Sequence, residues 1–357
     1  MELKRRDFLV RAATAGVTAG ALPFAHEAWA KESLTIVEWG NPYLDAAKKV
    51  AAKWDQTDIT WALHSGGASA VLAKIKASWP NPPYDIVTNW SAGFETMAQE
   101  GWAETITLAD VPNLADVPPQ FVPKDDKGNV KAVPRSIDGS FFAVRTDRCP
   151  IEIKTLEDLL NPKLKGMIAW PGPTVYSNAA LLAAALGRGG SLQNLEPGWK
   201  FVEELAKTGN IGRVYQGSVE LTNAISTGEA CITYTANGPQ TALVKMGLPM
   251  KSLTKIDASL KACLYVEAYV VMTSSKQKKA ALQFVNFATG QENSELFHQN
   301  LTSLPANQKA KPGGNVSAIQ FTSQEHAKFV EVPNWSYMGT QLDAWTKRWE
   351  RDIAPKI

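Results

Sequence analysis

Aromatic and small polar residues gather where apolar runs give way to loops. They are Trp39 and Tyr43; Ser65, Gly67 and Ser69; Asn89 and Trp90; Thr174, Tyr176 and Ser177; Tyr215; and Tyr234 with Asn237. Residues of these types hold a ligand rather than transform it. Ring faces and a carboxylate suit an ammonium group, whereas hydroxyls and the free N–H groups of a helix start suit an anion. The spacings of the common catalytic devices are missing. There is no G-x-S-x-G elbow, no H-E-x-x-H and no phosphate loop, and Gly187-Arg188-Gly189-Gly190 lacks the third glycine of a dinucleotide fingerprint and follows a helix. His64, His298 and His326 stand without a partner three or four residues away, so neither a metal nor a cofactor is expected. The reading is of a binding protein, not an enzyme. Cys149, Cys231 and Cys263 show no C-x-x-C spacing, and three thiols cannot all pair within one chain. A Cys231–Cys263 bridge requires their strands to lie side by side; buried free thiols are the alternative.

The elements that position these residues alternate. Leu34–Glu38 reads as a strand, followed by a helix with apolar residues at Leu44, Ala47, Val50, Ala51 and Trp54. Ile59–Leu63 leads into Ser65-Gly66-Gly67-Ala68-Ser69 and a helix through Val71, Leu72 and Ile75. Asp85–Thr88 leads through a loop at Asn89-Trp90-Ser91 into a helix that stops at Gly101. Such alternation predicts a parallel sheet with helices on both faces. Ligands of open parallel sheets bind beyond the carboxyl ends of the strands, where the aromatic and polar residues gather.

A stretch rich in Pro, Asp and Lys between Pro112 and Pro134 separates this half from a second with the same grammar. There Thr155 and Asp158 form a capping box, Gly166–Trp170 is a strand, and Asn178–Leu186 is an Ala-rich helix. A strand Ala230–Tyr234 follows, then a loop Thr235-Ala236-Asn237-Gly238 before the next helix.

The N-terminus reads as an address. Lys4-Arg5-Arg6-Asp7-Phe8-Leu9, an uncharged run from Ala12 to Ala25, and Ala28-Trp29-Ala30 have the order of a secretory signal. Its paired arginines resemble the twin-arginine type, which predicts a periplasmic protein beginning near Lys31. The whole chain has 37 basic and 35 acidic residues, and the segment through Ala30 holds four of the former and three of the latter. A balance this near neutral, with no long run of Lys or Arg beyond the signal, implies no polyanion partner such as nucleic acid. At 45% hydrophobic and 20% charged residues over 357 positions, two domains of ordinary size are expected.

Several segments together resemble one family. They are Tyr84-Asp85-Ile86-Val87 with the helix to Gly101-Trp102; Gly139-Ser140-Phe141-Phe142-Ala143-Val144-Arg145-Thr146-Asp147; and Thr155-Leu156-Glu157-Asp158-Leu159-Leu160-Asn161-Pro162 continuing to Gly166. Gly228-Glu229-Ala230, Ala268-Tyr269-Val270-Val271, the helix from Lys279 to Phe287, and Pro305-Ala306-Asn307 extend the pattern. In this order they are similar to periplasmic solute-binding proteins of ABC importers, in the two-lobed type II class, nearest the spermidine- and putrescine-binding branch. The resemblance implies two Rossmann-like α/β lobes joined by crossing hinge strands, with the ligand cleft between them. It implies a first lobe of residues 31–137 plus 269–357 and a second of 138–268. It also implies a monomer that closes over one small-molecule solute and docks on an ABC permease in the inner membrane.

Within that resemblance, Trp39 and Tyr43 match an aromatic pair of the polyamine-binding relatives, and Tyr265 with Glu267 matches an aromatic and a carboxylate. The acids of their second lobe are replaced by Pro173-Thr174-Val175-Tyr176-Ser177, which favours a smaller amine or a zwitterion over a long polyamine. The rival reading is an organic anion held by Ser65 to Ser69, Thr174 and Ser177, with Arg135 either completing that site or forming a hinge salt bridge. Ferric iron is disfavoured because no Tyr-Tyr pair is present. A secreted enzyme or a chemoreceptor partner on the same scaffold is the alternative in another class.

Overall fold

The computed structural model describes residues 33–40, 42–65 and 67–357, so the export signal read over residues 1–30 lies outside the described residues. The first half runs β1 (Ser33–Glu38), α1 (Tyr43–Ala51), β2 (Asp58–Leu63), α2 (Gly67–Ser78), β3 (Ile86–Trp90) and α3 (Ser91–Gln99). In α1, Ala46, Ala47 and Val50 are buried, the three- and four-residue spacing of a helix with one apolar face. The long strand β4 (Val133–Arg145) then leads into β5 (Ile168–Pro171), α4 (Ala179–Gly187), α5 (Glu196–Lys207), β6 (Ile211–Tyr215), α6 (Ser218–Thr227), β7 (Ile232–Ala236), α7 (Asn237–Lys245) and β8 (Met250–Ser252). The chain returns along β9 (Ala262–Val271) to α8 (Lys278–Thr289), α9 (Gln291–His298), β10 (Leu304–Pro305), α10 (Ser323–Phe329), β11 (Val330–Glu331) and α11 (Trp335–Asp352). Among the described residues no helix is long and apolar enough to cross a membrane.

The sheet order is β2-β1-β3-β9-β4-β7-β5-β6. β1 is parallel to β2 and β3, and β5 is parallel to β6 and β7. Between these parallel triplets lie β9 and β4, each antiparallel to its neighbours. The sheet is therefore mixed rather than parallel throughout. Each triplet is a βαβ array; β9 runs against the β1–β3 array it borders and β4 against the β5–β7 array, so the two arrays point in opposite directions. β4 is buried along all thirteen residues and serves two cores. Phe141 and Ala143 join Leu34, Ile36, Ile86 and Phe284, while Phe142 and Val144 join Trp170, Leu182, Phe201 and Ile232. This is the two-sided alternation of a pleated strand. The result is two α/β lobes joined by crossing strands.

Three features differ from the sequence expectation or refine it. No loop separates β3 from α3 or β7 from α7. Trp90 and Ala236 take extended backbone as N-caps, and the helices begin at Ser91 and Asn237. The capping box at Thr155 and Asp158 is formed, but on a short 3-10 turn, Leu156–Leu160. Finally α11, counted by sequence with the first lobe, buries Trp335, Met338 and Trp349 in the second core.

Candidate functional site

The site begins with a bulge. On β4, Pro134 pairs with Ala268 of β9 and Ser136 with Glu267, which leaves Arg135 as the extra residue. A bulge re-aims the side chain it carries, and here it directs a guanidinium that is 3% exposed between two carboxylates that are 0% exposed. Nη1 donates to Glu38 Oε2 at 2.6 Å, Nη2 to Glu38 Oε1 at 3.0 Å, and Nε to Glu267 Oε2 at 3.1 Å. Nη2 also stands 2.6 Å from Glu267 Oε1, a charge contact without hydrogen-bond alignment. The Arg135 guanidinium carbon lies 4.2 Å from the Phe297 ring centre and 4.8 Å from that of Tyr269. Burial works against the Arg135 charge, but Glu267 and Glu38 outweigh it and raise its pKa. Burial pushes Glu267 up, against the attraction of Arg135. The hinge salt bridge expected at Arg135 is thus formed, and two carboxylates share one positive charge. His298 adds none. Its Nδ1–H donates to the Ser294 carbonyl at 2.7 Å, its Nε2 accepts from Ser136 Oγ at 2.9 Å, and burial pushes it down to about 3.

Asp138 lies three residues further along β4, opposite Tyr265 of β9. It is 6% exposed. Its Oδ1 accepts the Gly139 N–H at 2.7 Å, and among the described residues no donor reaches Oδ2. Burial pushes the carboxyl up to about 7, with the Gly139 N–H opposing and Glu267 adding. Around it stand aromatic rings. Tyr265 meets Trp90 edge-on at 5.1 Å and Trp335 at 5.7 Å, and Trp90 meets Tyr43 at 6.3 Å. After burial itself, the charge on Asp138 contributes to raising the hydroxyl pKa of Tyr43, Tyr176 and Tyr265, so all three lie within its electrostatic reach. Such a group can take up a cation. An open carboxylate oxygen supplies the ion pair, and the ring faces supply attraction that survives loss of water.

Of the residues predicted from sequence, Tyr43, Trp90, Tyr176, Tyr265 and Glu267 come together here. Glu267 faces Arg135 instead of open space, so its role is a structural charge partner. Trp39 adjoins the cluster, its backbone N–H donating to Glu38 Oε1 at 2.8 Å and its ring stacked on His64 at 3.9 Å. Asn89 is buried beneath, where Gly93 leaves room for its amide. Tyr215 and Tyr234 are core residues, 1% and 0% exposed. The Tyr215 hydroxyl donates to the Tyr234 carbonyl, and the Tyr234 hydroxyl is bonded to Ser140. Asn237 is buried as well, its Nδ2 donating to the carbonyls of Thr302 at 2.6 Å and Asn315 at 3.0 Å. Ser65, Ser69 and Thr174 are exposed, Ser177 is half-buried, and Gly67 is the first residue of α2; no described contact ties them to the cluster. Asp138 was missed by sequence reasoning. Its signal was an acid in Ser-Ile-Asp-Gly-Ser, inside a run otherwise uncharged from Ser136 to Val144.

Comparison with known proteins places this fold among relatives. Residues 42–327 match the family profile described as bacterial extracellular solute-binding protein. No curated protein matches the chain. Among solved structures, an ABC transporter protein from Clostridium perfringens is 21% identical with a TM-score of 0.73, over 90% of this chain and 99% of that one. A putative extracellular solute-binding protein from Bordetella parapertussis is 16% identical at 0.75, with the same coverage. The spermidine/putrescine substrate-binding protein of Streptococcus pneumoniae is 16% identical at 0.67, over 88% and 99%. At these identities the likeness is one of fold.

Proposed function

The chain belongs to the bacterial extracellular solute-binding proteins, and we propose that it captures a small amine-bearing or zwitterionic solute for an ABC importer. Asp138 carries this reading. It is a buried carboxylate with one oxygen unpartnered, set among Tyr43, Trp90, Tyr176 and Tyr265. With Glu38 and Glu267 against the single Arg135, the cluster is short of positive charge, and an ammonium group supplies it. An anion in the same space would meet three carboxylates, and the guanidinium beside them is already held by two. The Streptococcus pneumoniae neighbour is named for polyamines. By the family resemblance, this chain has Thr174 and Ser177 in place of second-lobe acids, which supports a shorter amine with fewer charges.

The mechanism is binding and handover. Tyr43 and Trp90 come from the first lobe and Tyr176 from the second, taking the lobes as residues 31–137 plus 269–357 and 138–268. A solute touching both stabilises the closed arrangement over the open one. The closed form, an exported monomer delivered by the twin-arginine route, then docks on the membrane permease.

The test is calorimetric titration and thermal shift with short diamines, monoamines, betaines, amino acids and organic anions. A solute at about 100 times its dissociation constant adds about 2.7 kcal/mol, a rise of several degrees. Amines bind, are recovered unchanged, and lose at least about tenfold in affinity in Asp138→Asn, the minimum for removing a charged partner worth ~1.4 kcal/mol or more. Binding of anions alone overturns the amine assignment, and recovery of an altered solute overturns handover.

A further inference from the structure

Outside the cleft, the second lobe brings two thiols together. β4 ends at Arg145, whose N–H donates to the Cys231 carbonyl at 2.7 Å, and the Cys149 N–H donates back to the Arg145 carbonyl at 3.2 Å. One residue therefore holds both cysteine backbones, Cys149 in the turn after β4 and Cys231 immediately before β7. Cys231 is 1% exposed in the second core, and Cys149 packs against that core from its edge. Cys149 also lines a 360 Å³ cavity with Val144, Thr146, Pro150, Ile151 and Leu253, which provides an approach from the surface. The Cys231–Cys263 bridge considered from sequence is not available. β4 lies between β7 and β9, so their backbones stand about two strand spacings apart, roughly 9–10 Å, beyond the ~7 Å limit for a disulfide. Cys263 instead faces the Ala179 carbonyl at 3.9 Å.

We propose that Cys149 and Cys231 are a disulfide-forming pair that staples the turn after β4 to the start of β7. Interaction with the neighbouring Cys231 thiol lowers the Cys149 pKa, which favours the more accessible sulfur as the attacking thiolate. The oxidant is a disulfide of the glutathione or thiol–disulfide oxidoreductase class. The Cys149 thiolate attacks it, expelling one small thiolate and forming a mixed disulfide. Cys231 then loses its proton and displaces the second small thiolate. Two protein thiols are oxidised and one external disulfide is reduced to two thiols. Supply of such an oxidant in the cell rests on the export proposed above; the chemistry in vitro does not.

The experiment is thiol counting by mass spectrometry on the full chain after exposure to glutathione disulfide, denaturation without reductant and alkylation with iodoacetamide. One alkyl group, on Cys263, and a peptide linking Cys149 to Cys231 are expected, against three groups after reduction. Cys149→Ser gives two alkylatable thiols and no link. If that variant fails to fold, Cys263→Ala leaves the pair intact and gives none. Three alkylated thiols after oxidation, a stable glutathione adduct on Cys149, or a link from Cys231 to Cys263 would each overturn the proposal. None of these outcomes depends on whether the cleft binds an amine.

Discussion

Arg135 holds two carboxylates that have no exposure to water, and its removal leaves both without a counter-charge. Breaking one partner out of a buried ionic group costs about 3–5 kcal/mol, a large part of the 5–15 kcal/mol typical of a domain. Arg135→Met is therefore expected to lower the urea midpoint sharply at pH 7. The acids also set a pH dependence. Burial pushes Asp138 up to about 7, and Glu95 likewise, whereas in the unfolded chain both titrate near 4. Between those values the folded state retains protons that the unfolded state has released, so stability is greatest at the low end and declines as pH rises towards 7. Urea midpoints measured from pH 5 to 8 should fall along this slope, and Asp138→Asn should flatten it. For an amine that pairs with the ionised Asp138, as proposed, affinity is expected to run the other way, strengthening as pH rises towards 7. At this scale the sequence was partly legible. Tyr43 and Trp90 declared themselves as aromatics at strand and helix ends, and Tyr265 came from the family resemblance. Asp138 did not, because a lone acid in an uncharged run marks a position but not its surroundings, which depend on pairing with a strand more than 120 residues away in the sequence.

Between β5 and α4 the chain makes a left-handed turn at three consecutive non-glycine residues, Tyr176, Ser177 and Asn178, with φ of 50°, 49° and 64°. Each such residue carries roughly 1–2 kcal/mol of steric cost, and the turn is held by what it positions. The Tyr176 hydroxyl accepts the Ala236 N–H at 3.2 Å, at the junction of β7 and α7. Glycine takes this conformation without the Cβ clash but gives up more chain entropy on folding. Ser177→Gly is thus expected to raise stability by up to about 1 kcal/mol, read as an increase in denaturant midpoint at constant slope. The Thr155 capping box was visible beforehand because both its hydrogen bonds lie within four residues. The left-handed turn was not, since Tyr-Ser-Asn has no glycine to announce positive φ. The direct passage of β3 into α3 was equally hidden, because Asn89-Trp90-Ser91 has turn-forming composition while its backbone hydrogen bonds belong to the sheet.

Across the whole molecule, the same helix touches both lobes. The start of α11 meets α3 of the first lobe, where Glu95 accepts the Ser336 N–H and Gln99 Nε2 donates to Ser336 Oγ at 2.6 Å. Its buried face belongs to the second core through Trp335, Met338 and Trp349. Sequence resemblance grouped everything after residue 269 with the first lobe, since an amphipathic helix shows that it has a partner but not which one. The packing puts the buried face of the helix against the second core. Trp349 is 6% exposed, with the Arg348 guanidinium over Trp199 at 4.6 Å beside it. Truncation of a buried Trp costs about 3–5 kcal/mol. If α11 stabilises the second core, Trp349→Ala lowers the unfolding free energy by that amount, and hydrogen exchange accelerates in α5 and β5 of the second lobe while β1 and β2 of the first keep their protection. Equal loss of protection in both lobes would instead make the two cores one cooperative unit, in which solute-driven closure must bend the crossing strands β4 and β9 without separating the cores.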